Sequence, residues 1–107
     1  MTFAAFWPIY VAEHRSRLNR RLHLVGSIGY LALLIALALA HRWVWMWTVP
    51  VLAYGFAWTG HFFIEKNRPA TFKHPLLSLI GDHKMTALML AGRMDGEMER
   101  LKIEGKP

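Results

Sequence analysis

The chain has 107 residues, enough for one domain, and it contains no cysteine, which excludes disulfide scaffolds, thiolate zinc sites and cysteine nucleophiles. Its net charge of +6 is compatible with a nucleic-acid partner, but 54% of its residues are hydrophobic and only 19% are charged. Basic nucleic-acid modules are rarely this apolar, so we expect no nucleic-acid partner. Excess positive charge together with excess apolar residues is typical of a small integral membrane protein.

The N-terminal segment predicts an amphipathic helix over residues 2–15. Phe3, Trp7, Tyr10 and His14 recur at helical spacing and therefore share one face. We expect this helix to lie on the membrane or to pack against the mouth of the helical hairpin that follows.

Two long uncharged runs come next, separated only by His41 and Arg42. At about 1.5 Å of rise per residue, a helix over either run spans roughly the 30 Å of a bilayer core. The short connection makes the two helices antiparallel, so we predict a transmembrane hairpin with helices at 17–40 and 43–66. Pro50 lies inside the second run, where a membrane helix can tolerate it with a kink.

The basic residues orient this hairpin. They cluster before its first helix and after its second, whereas the loop has Arg42 alone. The clustered residues are Arg15, Arg17, Arg20, Arg21, Lys66, Arg68 and Lys73. Under the positive-inside rule, both open ends of the hairpin face the cytoplasm. Three tryptophans at the loop are typical of an aromatic belt at the membrane interface: Trp43, Trp45 and Trp47.

Pro75 is well placed to begin a further helix, because the first helical position needs no N–H partner. We predict a membrane-associated helix over residues 75–92, which either crosses the membrane or lies at its interface. Residues 93–107 alternate in charge sign, which indicates a polar tail that is a solvated helix end or disordered. Together these segments predict a single all-α domain over residues 1–107.

The histidines concentrate at one end of the predicted hairpin. His23 lies near the start of the first helix and His61 near the end of the second, so antiparallel packing brings them together. The same end is flanked by His14, His74 and His83. His61 and Glu65 share a helix face at i, i+4. Two histidines and one carboxylate suit non-haem Fe(II) with open positions, so His23, His61 and Glu65 are predicted metal ligands.

His14 is expected to be a further ligand or a partner of one. It precedes His23 by nine residues, on the opposite face of a continuous helix, so the helix must break between them. Ser16 is suited to be the N-cap after such a break, and Asn19 then shares a face with His23. Less favoured ligands are His74, Asp82 and His83.

Each candidate also has a purely structural interpretation. A histidine at a helix end is often only hydrogen-bonded, and the spacing of His61 and Glu65 fits a simple side-chain pair. Lys66 and Arg68 more often mark topology than bind substrate, although at headgroup depth they could hold a fatty-acid carboxylate. The histidine spacing excludes the HxxxH and HxxHH clusters of membrane di-iron enzymes, and no GxSxG, HExxH or P-loop is present.

Two motifs and a dipeptide occur in order over about residues 6–90. They read Tyr10-x3-His14-x4-Asn19-x3-His23, then Gly60-His61-x3-Glu65-Lys66-x-Arg68-Pro69-Ala70, and Ser78-Leu79. This pattern resembles the 2-hydroxy fatty acid dioxygenase family, and in particular its short bacterial members. Eukaryotic members are longer, and many members have Asn-Pro where this chain has Ser16-Arg17.

The resemblance implies an Fe(II)-dependent membrane enzyme that uses O2 to α-oxidise a 2-hydroxy fatty acid, leaving a fatty acid one carbon shorter. The positions matching the family's iron site and its immediate shell, and hence its catalytic residues, are His14, His23, His61 and Glu65. Further matching positions, which imply substrate binding, are Asn19, Lys66, Arg68 and Ser78.

The expected location is a bacterial inner membrane, with the lipid bilayer, O2 and a 2-hydroxy fatty acid as partners. One alternative is a non-enzymatic small membrane protein whose histidines hold a structural metal or a partner's helix. Another is a protein that binds anionic lipid through the arginines of residues 15–21. A homo-oligomer is compatible with the sequence.

Overall fold

The computed structural model describes all 107 residues, and its regular elements are all helices, which confirms the all-α class. The α-helices are α1 (Phe3–Ala12), α2 (Arg17–Leu39), α3 (Thr48–Thr59), α4 (Pro75–Leu90) and α5 (Met94–Arg100). Shorter pieces are the 3-10 turns Trp43–Trp45 and Ala70–Phe72 and the π-helix Gly60–Glu65. Pro75 occupies the first turn of α4, as its lack of an N–H favours.

The chain breaks between α1 and α2, as the positions of the first two histidines require. Ser16 is extended and its hydroxyl accepts a hydrogen bond from the Asn19 N–H at 3.3 Å, which confirms the predicted N-cap. The Arg20 guanidinium donates to the carbonyls of His14 at 2.9 Å and Arg15 at 2.6 Å. These bonds stabilise the turn because the carbonyls of His14 and Arg15 lie between the two helices, where no helical N–H is available to them.

One helix, α2, is long and apolar enough to cross a membrane, with a mean hydropathy of 2.2 over a window of which 17% is buried. The second predicted span, 43–66, is not one α-helix. It is divided into a 3-10 turn, α3 and the π-helix. Pro50 lies in the first turn of α3, where backbone N–H groups have no intrahelical partner, so the helix accommodates it without losing a helical hydrogen bond.

The hydrophobic core centres on α1. Four of its side chains are buried together with three methionines of α4 and α5: Phe6, Trp7, Tyr10, Val11, Met85, Met94 and Met98. On the predicted apolar face, Trp7, Tyr10 and His14 are buried. One face of the helix is therefore packed against α4, a partner that the sequence did not indicate, while Ala4, Ala5 and Ile9 on its other face are exposed. The expected contact with the hairpin mouth is made just after the helix, where His14 meets His23 and His61.

The C-terminal segment is folded rather than a free polar tail, which corrects the sequence expectation. Met94 and Met98 of α5 are buried in the core. The Lys106 N–H donates to the Arg15 carbonyl at 2.8 Å, and the Lys106 carbonyl accepts from the Arg17 N–H at 2.8 Å. The alternating charges obscure an i, i+4 pair of methionines, which is the apolar stripe that docks α5.

The helices α2 and α3 form an antiparallel pair, and α2 also packs against α4, whereas α3 and α4 barely touch. The close approach of α2 and α3 occurs at Gly26, where a Cβ would come within 2.9 Å of the Phe56 Cβ. This arrangement leaves a cleft between α3 and α4, with α2 at its back.

Candidate metal centre

Three histidines from different elements meet in the interior. His14 follows α1, His23 lies on α2 and His61 lies in the π-helix. Their side chains are buried, with exposed fractions of 1%, 4% and 2%. One ring nitrogen of each lies within 4.8 Å of the others, an arrangement that could hold a metal ion.

The hydrogen bonds give all three rings the same tautomer. Nδ1 of His14 lies 2.6 Å from the Tyr10 carbonyl, and Nδ1 of His23 lies 3.0 Å from the Asn19 carbonyl. Carbonyl oxygens only accept, so each Nδ1 carries the proton and each Nε2 keeps its lone pair. This is the form in which imidazole binds a metal, oriented by the bond on its other nitrogen.

His61 is oriented by Asn67, a residue that the spacing of the motifs does not single out. The Asn67 amide NH2 donates to the Glu13 carbonyl at 2.9 Å, so its oxygen is the end that faces Nδ1 of His61 at 2.7 Å. His61 therefore also keeps its lone pair on Nε2.

The lone pairs face one another without a protein donor between them. Nε2 of His14 and Nε2 of His23 are only 3.3 Å apart. Burial lowers the pKa of His14 well below its usual range, and the neighbouring rings of His23 and His61 lower it further, so the His14 ring is neutral at pH 7. Three neutral imidazoles with converging acceptors form a binding site for a cation.

The π-helix explains why the chain turns inward at His61. Its i→i+5 bonding widens the helix, a distortion that is frequent at functional sites. It ends at Lys66 in the left-handed conformation, with φ of 57°, and the Asn67 N–H then returns to the His61 carbonyl at 3.0 Å. This return brings Asn67 beside the ring that it orients.

Glu65 lies next to the cluster but is not one of its members. Its Oε1 accepts from the Ser16 N–H at 2.5 Å and from the Asn19 side-chain amide at 3.3 Å. A carboxylate at the N-terminus of α2 interacts favourably with the helix dipole. Because Ser16 and Asn19 hold the Glu65 carboxylate, the group of converging ligand atoms consists of three imidazoles rather than the two histidines and one carboxylate expected from the i, i+4 spacing.

The remaining predicted residues lie outside the cluster. Ser78 is buried, with its hydroxyl 3.1 Å from that of Thr71, and His74 packs edge-on against Phe6. Lys66 and Arg68 are exposed. Asn19 is fully buried beside the π-helix.

Asp82 and His83 are hydrogen-bonded to residues other than the three clustered histidines. Asp82 accepts a hydrogen bond from the Tyr10 hydroxyl, and the Tyr10 ring stacks on His14 with centroids 4.0 Å apart. Nδ1 of His83 donates to the Leu79 carbonyl at 2.8 Å, so its Nε2 accepts from the Tyr30 hydroxyl. Both side chains therefore have partners other than the cluster.

A family model described as 2-hydroxy-palmitic acid dioxygenase Mpo1-like matches residues 1–94, which include the three clustered histidines. Neither a curated protein nor a solved structure matches the chain. The match covers most of the chain, and the chain belongs to this Mpo1-like family.

Proposed function

We propose that this member of the Mpo1-like family is an Fe(II)-dependent membrane dioxygenase that shortens 2-hydroxy fatty acids by one carbon. The single observation that carries the proposal is the convergence of three buried Nε2 lone pairs, from His14, His23 and His61, each aligned by a fixed acceptor for its Nδ1 proton. The family's description names the substrate class, a 2-hydroxy fatty acid, and the type of enzyme, a dioxygenase.

The donor set fits a transition metal with open positions. Imidazole suits iron, zinc, copper and nickel, and three protein ligands are typical of catalytic sites that keep room for substrate. Oxygen chemistry narrows this set to iron and copper, and the resemblance to an Fe(II)-dependent family favours iron. When bound, Fe(II) would supply O2 activation and a Lewis acid for the hydroxyl and carboxylate of the substrate.

The proposed reaction balances without a further reductant. R–CH(OH)–COOH and O2 give R–COOH, CO2 and H2O: the C1–C2 bond breaks, C1 leaves as CO2, and C2 becomes the new carboxyl carbon. The two carbons together lose four electrons, which is the number that O2 accepts on full reduction. The three hydrogens on the reacting groups are divided between the new acid and water.

The chain's own residues hold and shield this site. The acceptors on Nδ1 keep the three rings aligned, and the stacked Tyr10 ring covers His14. All three imidazoles are buried, and the low local dielectric constant strengthens electrostatic interactions at the site.

A membrane location is supported by the exposed apolar surface. In α2, only 17% of the most apolar window is buried, unlike a core helix of a water-soluble fold. Trp43, Trp45 and Trp47 are exposed at the loop end, and Arg17, Arg21 and Arg68 are exposed at the other end. This distribution supports insertion of the loop end, with the charged end facing the cytoplasm.

The test is oxygen consumption by purified protein that has been loaded anaerobically with Fe(II) and then given 2-hydroxypalmitate. We expect O2 uptake together with pentadecanoate and CO2, lost in His23→Ala and in His61→Ala. His41→Ala is the matched control, because His41 is exposed in the distant loop, and it should keep full activity.

Activity that survives in His23→Ala and His61→Ala would contradict the proposal. Iron bound by the wild-type protein without any O2 uptake would instead support a structural metal in a non-enzymatic membrane protein.

A further inference from the structure

A cavity of about 180 Å³ lies directly beside the histidine cluster, between α2, α3 and α4. On α2 it is lined by His23, Ser27 and Tyr30, which share one helix face at i, i+4 and i+7. His23 is therefore both a member of the cluster and a wall of the cavity.

The other two walls differ in polarity. The α3 wall is apolar and includes the small side chains of Ala53 and Ala57. The α4 wall contributes Asp82 and His83, which are polar. A ligand with one polar end and one hydrocarbon end would find both kinds of partner here.

The cavity is open on one side. Tyr54 of α3 and Leu79 of α4 line it, yet they are 37% and 46% exposed. Since α3 and α4 barely touch, the opening lies between these two helices. Trp58, whose ring centroid lies 5.5 Å from that of Tyr54, is a further exposed large apolar residue beside the opening.

The volume limits what can enter. A protein cavity of about 150 Å³ holds one benzene molecule, so 180 Å³ accommodates a fragment only slightly larger. That is enough for a carboxyl, a hydroxyl and the first few carbons, but not for a long acyl chain. The rest of such a chain has to leave through the side opening.

We propose that the head of a 2-hydroxy fatty acid enters this cavity sideways, between α3 and α4, and reaches His23 while most of its acyl chain stays in the surrounding lipid. This inference rests on the proposed function for the identity of the ligand. In this proposal, Ala53 and Ala57 determine the space available to the substrate head. Lys66 and Arg68 do not contact it, because neither lines the cavity.

The first test narrows the cavity from its α3 wall. In Ala53→Leu, the larger side chain occupies the space of the substrate head, so anaerobic binding of radiolabelled 2-hydroxypalmitate should weaken roughly tenfold or more. Bound iron should be unchanged, because Ala53 is not in the cluster. Gly55→Leu is the matched control: it enlarges the same helix where a Cβ meets nothing within 4 Å, and it should bind like wild type.

A second variant blocks the opening after folding is complete. The chain has no cysteine, so Leu79→Cys introduces the only thiol, which is then alkylated with a bulky maleimide. We expect alkylation to abolish binding of 2-hydroxypalmitate. The same treatment of Ile35→Cys, on an exposed part of α2 that does not line the cavity, should have no effect.

The outcomes separate the two proposals. Unchanged binding in both Ala53→Leu and alkylated Leu79→Cys, or equal losses in their controls, would overturn the cavity assignment, as would a wild-type protein that does not bind 2-hydroxypalmitate. Binding that follows the expected pattern without any O2 uptake would retain the cavity and refute the dioxygenase. O2 uptake that is unchanged in Ala53→Leu and in alkylated Leu79→Cys would retain the dioxygenase and refute the cavity assignment.

Discussion

Three acceptors orient the clustered rings, and two of them are backbone carbonyls. The third is the Asn67 side chain, so it is the one that a substitution can remove. Asn67→Ala leaves Nδ1 of His61 without its partner at 2.7 Å, so the ring can rotate or change tautomer. We expect metal affinity to fall by roughly 10–100-fold, as is typical when such a partner is lost. Anaerobic competition with a metal chelator measures this change.

The control for Asn67→Ala is Thr71→Ala. It removes a side-chain hydrogen bond nearby, to Ser78, without touching a clustered histidine. Its metal affinity should stay at the wild-type value. Equal affinity losses in the two variants would show that Asn67 acts only through local stability.

The clustered histidines could be predicted from sequence because topology alone brings their positions to one end of the hairpin. Asn67 could not, because it meets His61 across a turn that only the π-helix creates. The spacing of His61 and Glu65 indicates a shared helix face but not the partners of the carboxylate. Those partners, the Ser16 N–H and the Asn19 side-chain amide, are more than 40 residues away in sequence, so no local pattern predicts them.

Among the elements, the π-helix depends on a glycine at its first position. A Cβ at Gly60 would overlap the side-chain oxygen of Asn19, which is fully buried and tied to Glu65. Gly60→Ala should therefore destabilise the fold by about 1–3 kcal/mol and lower metal affinity through the neighbouring His61. Chemical denaturation and metal titration measure the two effects.

On the adjoining helix α3, Gly55→Ala should raise the stability of the fold, the opposite of the effect expected for Gly60→Ala. A Cβ at Gly55 meets nothing within 4 Å, so the higher helix propensity of alanine should stabilise the protein by up to about 1 kcal/mol. If Gly60→Ala proved as stable as wild type, the close packing between α2 and the π-helix would be wrong.

The docking of α5 should depend on pH through Glu97. Its carboxylate accepts from the Arg100 guanidinium at 2.6 Å and 3.0 Å and from the Trp7 indole N–H at 2.8 Å. Hydrogen bonds from Arg100 and then from Trp7 lower the pKa of Glu97 from an ordinary 4.5 to about 2. A carboxyl with a lower pKa in the folded state stabilises the fold when it is ionised.

That stabilisation is fully present above pH 4.5 and is lost as the pH falls towards about 2. Glu97→Gln should therefore have a lower Tm than wild type at pH 7, and the difference should shrink in thermal melts between pH 4.5 and pH 2. Glu99→Gln, at an exposed residue without a side-chain hydrogen bond, is the control. A Tm difference independent of pH would contradict the role given to Glu97.

Some of the elements could be predicted from sequence patterns and others could not. The N-cap at Ser16 and Pro75 in the first turn of α4 were predictable, since each depends on local backbone chemistry. The division of the second span and the fold of the C-terminal segment were not, because they depend on packing between distant segments. The pairing of Lys106 with Arg15 and Arg17 joins the two ends of the chain, and no local pattern encodes it.

At the scale of the whole molecule, the dimensions suit the proposed membrane location. The longest extent is 45 Å, and α2 with 23 residues is about 34 Å long, slightly more than a bilayer core. The three histidines lie at the end of the hairpin that also carries the exposed arginines, Arg17 and Arg21. The substrate head would therefore react at headgroup depth while its chain stays in hydrocarbon.

The metal itself provides the most direct test of the central claim, which is that His14, His23 and His61 together hold one ion. Equilibrium dialysis of purified protein against Fe(II) under anaerobic conditions gives the number of ions bound per chain. We predict one ion for wild type and for His41→Ala, and none for the His14→Ala, His23→Ala and His61→Ala variants at the same free Fe(II) concentration. A wild-type protein that binds no iron, or folded variants that bind it as wild type does, would contradict the claim.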